Sequence, residues 1–293
     1  MFRIALLFTV AALFLFGQDR QARAEAYHTC KGFIDSLPAT IGTQGTWCLR
    51  KDLSTAMTSG NAIEIDANNV TIDCNGFKIG GLAAGTGTGT TGIMALNKLN
   101  ATVRNCNIRG FQFGIEFHGA NASGGHLVED NSLDGNTLIG VYVRGVGSTI
   151  RNNTVIDTGG STGSDVVFWN TTGIRVQQGV DVINNTVNGV APAGANATAY
   201  GIYTTFNGDG SVNGNRVRGL APTGTGAPRG IYNIGSGRGV TRDNDVQGPG
   251  PGVAGGVGIR CDSNATTARG NVINGFETGI EDCFTSLNVV NPN

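Results

Sequence analysis

The sequence predicts an all-β solenoid, in which short strands, three to each repeat, stack into about eight or nine coils. Two observations support this fold class. Glycine supplies 48 of the 293 residues, which favours turns and disfavours helices. In addition, two short sequence units recur along the chain at similar spacing, and such recurrence is typical of repeat architectures.

The first recurring unit is a glycine followed by Ile or Val. It occurs at Gly92-Ile93, Gly114-Ile115, Gly140-Val141, Gly173-Ile174, Gly201-Ile202, Gly230-Ile231, Gly258-Ile259 and Gly279-Ile280, at steps of 21 to 33 residues. We interpret each unit as a strand whose Ile or Val points inward. The preceding glycine indicates a backbone position with positive φ, or one too crowded for a Cβ atom.

The second unit is an Asn flanked by apolar residues three positions before it and two positions after it. Its central positions are Asn75, Cys106, Asn131, Asn153, Asn185, Asn215, Asn244 and Asn271. The earlier apolar column runs from Ile72 to Ala268, and the later one runs from Phe77 to Ile273. No single repeat could bury these apolar residues alone, so a stacked interior is predicted.

Stacking would place equivalent residues about 4.8 Å apart, which is the spacing of neighbouring strands. The Ile and Val columns then form one continuous apolar interior. Asn side chains at equivalent turns can hydrogen-bond to one another along the stack, because each amide offers both donors and acceptors. The variable step lengths are therefore assigned to one loop in each coil.

From about Asn61 onward, these columns resemble the right-handed parallel β-helix proteins of the pectin-lyase-like superfamily. The stretch Asn69–Ile79 is similar to the opening coil of many exported bacterial members. The resemblance implies a right-handed parallel β-helix domain over residues 61–293, and it makes the Gly-Ile strands the floor of a substrate groove. It specifies the activity poorly, because one fold supports many functions.

The N terminus has the pattern of an exported protein. Residues 1–24 predict a signal peptide, with Arg3 at the start, an apolar run and a small-residue cleavage site; an uncleaved anchor is the alternative. Residues 25–60 are predicted to form an N-terminal cap segment. We expect the mature protein to be secreted or periplasmic, with no membrane attachment after the signal is cleaved.

Six cysteines follow the predicted signal, and an even number in an exported chain indicates disulfides. Fifteen pairings exist in principle. Proximity in sequence favours Cys30–Cys48, Cys74–Cys106 and Cys261–Cys283. The second and third pairs are each one residue out of register when the repeats are aligned.

Strict alternation from the inward Ile or Val predicts two outward columns on the Gly-Ile strands. The first is Met94, Glu116, Tyr142, Arg175, Tyr203, Tyr232, Arg260 and Glu281, and the second is Leu96, His118, Arg144, Gln177, Thr205, Ile234, Asp262 and Cys283. Arg side chains can form paired hydrogen bonds with carboxylates, and Tyr rings can pack against the apolar faces of sugars. These columns predict a groove for an acidic polysaccharide, with an ordinary solvated surface as the alternative.

The sequence leaves open whether the protein is an enzyme. For an enzyme, β-elimination on a uronate by a polysaccharide lyase is favoured. Glycoside hydrolases need a matched carboxylate pair, and the Asp-Pro-His-Asp motif of the superfamily's C5 epimerases is absent. The predicted catalytic residues are His118, Tyr142, Arg144 and Arg175, and the predicted substrate-binding residues are Glu116, Gln177, Tyr203, Tyr232 and Arg260.

Several partners are not expected. A net charge of -1 provides no basic excess for nucleic acid, and no residue cluster predicts a metal site. No cofactor is expected, with Ca²⁺ an option only for a lyase. The rival interpretation is a non-catalytic module of the cell envelope or surface, used for structure or adhesion. End-to-end self-association is an alternative way to cover an open end of the stack.

Overall fold

The computed structural model describes residues 27–119, 123–163, 170–205, 210–235, 239–251, 253–262 and 266–291. The predicted signal peptide, residues 1–24, lies outside the described residues. Within them the chain forms 31 strands and a single short 3-10 helix at Leu82–Ala84. Neighbouring strands in each of the three sheets run parallel.

We name the sheets by their position around each coil. The Gly-Ile sheet contains β2 (Ala39–Ile41), β5 (Ser59–Ile65), β8 (Gly89–Leu96), β11 (Phe113–His118), β14 (Ile139–Arg144), β17 (Thr171–Gln177), β20 (Ala199–Thr205), β23 (Pro228–Ile234), β26 (Val257–Cys261) and β29 (Thr278–Glu281). The pre-ladder sheet contains β1 (Gly32–Ile34), β3 (Gly45–Leu49), β6 (Val70–Asp73), β9 (Thr102–Arg104), β12 (Leu127–Glu129), β15 (Thr149–Arg151), β18 (Asp181–Ile183), β21 (Ser211–Asn213), β24 (Val240–Arg242), β27 (Thr267–Arg269) and β30 (Phe284–Ser286). The post-ladder sheet contains β4 (Leu53–Ser54), β7 (Lys78–Gly80), β10 (Asn107–Arg109), β13 (Ser132–Asp134), β16 (Thr154–Gly159), β19 (Thr186–Ala191), β22 (Arg216–Leu220), β25 (Asp245–Gln247), β28 (Val272–Asn274) and β31 (Val289–Asn291).

This is the predicted three-strand parallel β-helix, and the all-β prediction is confirmed. The Ile and Val columns face inward from all three sheets and form one core. Ile93, Val103 and Ile108, one from each sheet, have no exposed surface. Because equivalent strands stack in register, each core residue packs on its counterpart in the next coil.

The Asn ladder is also confirmed. Between Asn131 and Asn271 each side-chain amide donates to the side-chain oxygen of the next rung, at 2.9 to 3.1 Å. Asn271 donates in the same way to Asn288 at 2.9 Å, a final rung that the repeat alignment missed. The residue before each rung takes a left-handed φ and is mostly Asn, Asp or Gly, which tolerate that conformation.

The first rungs differ from the alignment. Ile79, not Phe77, pairs with Ile108, because the turn before β7 is longer than the later ones. The ladder position there is occupied by the Cys74–Cys106 disulfide, whose Cα atoms are 4.7 Å apart, about one strand spacing. Asn75 instead donates to the carbonyl of Leu49 at 3.1 Å. The apparent register error of this disulfide therefore came from the longer turn.

All three predicted disulfides are present. Cys283 joins Cys261 because the chain leaves the strand register at Asp282, whose φ is 57°. Cys283 therefore does not belong to the second outward column. The segment predicted as a cap, residues 25–60, supplies β1 to β4, which are members of the three sheets. The solenoid thus begins near Gly32 rather than at residue 61.

The glycine of each Gly-Ile unit has an ordinary φ. Glycine is therefore required there because a side chain would not fit, and not because of the backbone conformation. A Cβ atom at Gly201 would lie 2.3 Å from Val217 and 2.6 Å from the carbonyl oxygen of Gly230. The same close approach to the following coil recurs along the column. Any larger residue would therefore force the coils apart.

Candidate functional site

The outer surface of the Gly-Ile sheet carries the residues from which a site can be built. Strand pairing aligns the first outward column in register, from Glu64 and Met94 through Glu116, Tyr142, Arg175, Tyr203, Tyr232 and Arg260 to Glu281. Side chains in this column lie one strand spacing apart, about 4.8 Å. The predicted column is therefore a continuous row on one face.

A further outward column lies before the glycines, and sequence alternation missed it. Tyr200 and Arg229 pair in register, with Ile139 and Thr172 in the same column. The ring of Tyr200 contacts the outward rings of Tyr203 and Tyr232. Strict alternation would have turned Tyr200 inward, but the strand changes its facing at the crowded glycine. A Tyr or Arg two residues before the Ile was the available signal.

Glu116, His118 and Tyr142 form a cluster in the row, on the two strands that follow Met94. Nε2 of His118 is 3.4 Å from Oε1 of Glu116, and the His118 ring stacks on Tyr142 with centroids 5.9 Å apart. The hydroxyl of Thr91 donates to Oε2 of Glu116 at 3.0 Å. Burial raises the pKa of the Glu116 carboxyl, although His118 and Thr91 oppose the rise. The cluster thus places an imidazole between a carboxyl group and a phenol.

Burial also raises the pKa of the Tyr142 hydroxyl, and this outweighs the opposing effect of Arg175 and Arg144. Tyr142 therefore holds its proton at neutral pH and is suited to donate it. His118 is the remaining member of the cluster that can accept a proton.

Two arginines beside this cluster have no anionic partner. None of the ion pairs formed by the described residues includes Arg144 or Arg175. Their Nε atoms are buried and make no hydrogen bond. The guanidinium of Arg175 instead lies between two rings, 5.3 Å from the centroid of Tyr142 and 5.5 Å from that of Tyr203. Both cations are available to an external anion.

Three tyrosines form an aromatic platform further along the face. The rings of Tyr203 and Tyr232 stack with centroids 5.6 Å apart, and Tyr200 lies 4.8 Å and 5.4 Å from them. Burial raises the pKa of Tyr200 to about 12 and also raises that of Tyr203. Tyr200 and Tyr203 therefore keep their protons at neutral pH. Arg229 and Arg260 lie over Tyr232 at 6.0 Å and 5.5 Å.

Long connections border the face beside the Glu116 cluster. Backbone and hydroxyl groups of Thr86 and Thr162 bond to each other, which joins connections that precede β8 and β17. A small apolar cluster of Leu138, Ile139 and Phe113 packs against Tyr142 on the outer side. These residues shield one side of the Tyr142 ring from water. The part of the second connection that carries Phe168 and Trp169 lies outside the described residues.

Some predicted contact residues are less accessible than expected. Gln177 is only 7% exposed and lines a small internal cavity of about 30 Å³ together with Thr205, so a direct ligand contact is not supported. The reason is that β17 ends at Gln177 and the chain then turns towards the buried Val180. Arg260 reaches the row but is balanced by Asp262 at 3.7 Å and Glu281 at 3.5 Å.

A Ser and His pair outside this cluster, Ser123 and His126, is structural rather than catalytic. Nδ1 of His126 accepts the backbone N–H of Ala101 at 3.2 Å, and Nε2 lies 2.9 Å from the Ser123 hydroxyl. Because Nδ1 is an acceptor, the neutral ring carries its proton on Nε2 and cannot accept the Ser123 proton. Burial lowers the pKa of His126 to about 4. His126 is thus a buried member of the solenoid.

Within the described residues, no three His, Cys, Asp or Glu side chains are grouped in a way that could hold a metal ion. The described residues also contain no helix with the length and apolar character needed to cross a bilayer. Three disulfides are typical of a protein that folds in an oxidising compartment. This agrees with the predicted export of the chain.

No family model and no curated protein matches the chain. A solved structure with a similar arrangement is a tailspike protein, gp49, of Acinetobacter baumannii bacteriophage Fri1, described as a capsular polysaccharide depolymerase. It is 12% identical, with a TM-score of 0.46 over 85% of this chain. The chain spans 42% of the length of that protein. What this chain does is therefore inferred from its own residues.

Proposed function

We propose that the outer face of the Gly-Ile sheet binds an acidic polysaccharide and cleaves it by β-elimination. The observation that carries the proposal is the pair Arg144 and Arg175, two cations without anionic partners on a face rich in tyrosine. Some arginines elsewhere in the described chain, such as Arg104 and Arg151, are paired with carboxylates, whereas Arg242 and Arg269 are unpaired but exposed on another sheet. Unpaired arginines favour a ligand that brings its own carboxylates.

The Glu116 cluster supplies the groups that an elimination requires. Arg144 and Arg175 would neutralise the uronate carboxylate, which makes the neighbouring C5 proton more acidic. His118 takes that proton, and the carboxyl group of Glu116 orients the imidazole through Nε2. The electron pair forms the C4–C5 double bond as the C4–O bond breaks. Tyr142 gives its proton to the departing oxygen, so the step is balanced.

The experiment that tests this proposal follows two signals on one panel of polymers. Polygalacturonate, alginate and hyaluronan are incubated with the protein, with and without Ca²⁺, while ultraviolet absorbance reports new unsaturated ends. Retention in gels that contain the same polymers reports binding. We expect absorbance to rise on at least one polymer that also retains the protein. His118→Asn and Tyr142→Phe should each lower the rate at least a hundredfold without abolishing retention.

Different results would overturn different parts of the proposal. Retention without absorbance on the same polymer would remove the elimination step and leave a carbohydrate-binding module. An elimination rate unaffected by His118→Asn would remove the assigned base. Absence of both signals on every acidic polymer would contradict the proposed function as a whole.

One observation favours a second candidate, a structural module that assembles end to end. The last coil exposes four large apolar side chains: Phe284, Leu287, Val289 and Val290. They lie on or between β30 and β31, which are edge strands. Sedimentation over a range of protein concentrations tests this candidate. Concentration-dependent association that Phe284→Asp and Val289→Asp abolish would support it, and a monomer at all concentrations would exclude it.

A further inference from the structure

The two ends of the candidate face differ in charge. On the N-terminal side of the Glu116 cluster, strands β2, β5 and β8 contain no Lys or Arg. Their outward residues include Glu64, Met94 and Leu96, and Leu96 is 47% exposed. Lys98, which follows β8, is paired with Asp66 at 2.7 Å. This side offers an anionic chain an acidic and apolar surface.

On the C-terminal side, each strand from β14 to β26 carries a cation or an aromatic ring on its outer face. Arg144, Arg175, Arg229 and Arg260 occur on β14, β17, β23 and β26. Arg229 is held in place because its Nη1 donates to the carbonyl oxygen of Gly255 at 2.8 Å. It lies over Tyr232, so the guanidinium and the ring present one combined surface.

We propose that the face is directional: the polysaccharide is held only over the coils C-terminal to the Glu116 cluster, in a subsite formed by Tyr200, Tyr203, Tyr232 and Arg229. This inference rests on the proposed function and adds the position of the bound chain. Sugar rings pack on the three tyrosines, and their carboxylates pair with the surrounding arginines. The N-terminal coils β2, β5 and β8 bind no sugar.

The physical basis is the difference in electrostatic potential between the two ends. An anionic chain laid towards Glu64 would meet that carboxylate on strands that carry no cation, which costs free energy. Laid towards Arg229, the same chain meets unpaired or ring-stacked guanidinium groups. Because Asp262 and Glu281 already balance Arg260, the attractive region ends near β26.

Directionality predicts where the chain is cut. The proton-transfer residues lie at the N-terminal limit of the bound segment, so one product keeps most of the contacts with the tyrosine platform. The other product extends past Glu64 with no subsite to hold it. After cleavage, the product on the Glu64 side should therefore dissociate first, while the product on the tyrosine platform stays bound.

The test compares variants from the two ends. Polygalacturonate, alginate and hyaluronan gels serve as probes, with Arg229→Gln and Tyr200→Leu for the C-terminal end and Glu64→Gln as the matched polar control. We expect the first two to weaken retention at least fivefold and the control to change it less than twofold. Far-ultraviolet circular dichroism and the unfolding midpoint verify that each variant is folded.

The outcomes separate this inference from the proposed function. If Arg175→Gln weakened retention but Arg229→Gln and Tyr200→Leu did not, the directional subsite would be overturned. The proposal that the outer face binds an acidic polysaccharide would remain. Equal losses in Glu64→Gln and Arg229→Gln would also overturn it, because both ends would then hold the chain. Failure of the wild-type protein to be retained on any of the three polymers would overturn both.

Discussion

The Asn ladder and the outer face of the Gly-Ile sheet are built on the same stacked backbone, but they differ in whether equivalent positions carry the same residue type. The ladder repeats one residue type, and each rung bonds to neighbouring rungs and to backbone carbonyls of its own and the preceding coils. The outer face varies its residue type from coil to coil at equally regular positions. Repetition therefore marks the residues that hold the coils together, and variation marks those free to bind a ligand.

The largest expected effect on stability comes from removing a central Asn of the ladder. Asn185 accepts from the N–H and the amide of Asn153 and donates to Asn215 and to two backbone carbonyls. Asn185→Ala would leave several buried groups unpaired, at about 1–3 kcal/mol each. We expect about 4 kcal/mol of lost stability in guanidinium unfolding. Glycan retention by the folded variant should be unchanged.

The matched control is Asn107→Ala, which removes an exposed Asn with one bond to the carbonyl of Gly76. It should lower stability by less than about 1 kcal/mol. If the two variants were equally stable, the ladder would not be the element that joins the coils.

The next largest effect is a dependence of the free energy of unfolding on pH, which arises from the buried His126. Its pKa is about 4 in the fold, against 6.5 when unfolded. Between these values the unfolded chain binds more protons, so stability is full above about pH 6.5 and falls as the pH decreases towards 4. The loss should reach about 3 kcal/mol. Unfolding curves recorded at pH 7, 5.5 and 4.5 measure it.

His126→Asn should make the stability less dependent on pH over this range, whereas His118→Asn should leave the dependence in place. The pH dependence of stability thereby distinguishes the buried His126 from His118 on the outer face of the Gly-Ile sheet. A fall in stability that persists in His126→Asn would assign the titration to another group.

The smallest effect concerns the end of the ladder. Leu287 takes a φ of 53° at a position where earlier coils have Asn, Asp or Gly, and it is 76% exposed. A left-handed φ costs a residue such as Leu about 1–2 kcal/mol. Leu287→Asn should raise the free energy of unfolding by about 1 kcal/mol, seen as a higher midpoint. The same change at exposed Val289 should bring no gain.

The difference between ladder and face also explains what the sequence could predict. The three-sheet fold and the ladder from Asn131 to Asn271 followed from recurring residues, and the three disulfides followed from the proximity of the cysteines in sequence. The errors at Asn75 and Phe77 arose because one turn is longer than the others, which displaced the alignment by one position at Asn75 and by two at Phe77. Local spacing could not reveal this shift, since only the pairing of Ile79 with Ile108 fixes it.

The site was predicted less completely. Alternation found Tyr142, Arg175, Tyr203 and Tyr232 because they follow the inward Ile or Val. It missed Tyr200 and Arg229 because each strand changes its facing at the crowded glycine, a three-dimensional effect of the neighbouring coil. The burial of Gln177 and the pairing of Arg260 depend on neighbouring turns and coils, so sequence position alone did not give their accessibility.

The most direct test of the proposed ligand face removes two of its cations that have no carboxylate partner and compares the result with the removal of two cations that have one. The double variant Arg144→Gln with Arg175→Gln is run beside Arg151→Gln with Arg216→Gln, whose arginines pair with Glu129 and Asp245 on the other sheets. Retention on uronate polysaccharide gels is measured. The account predicts at least a tenfold loss in the first double variant and less than twofold in the second. Equal retention of the two variants, whether both weakened or both unchanged, would contradict it.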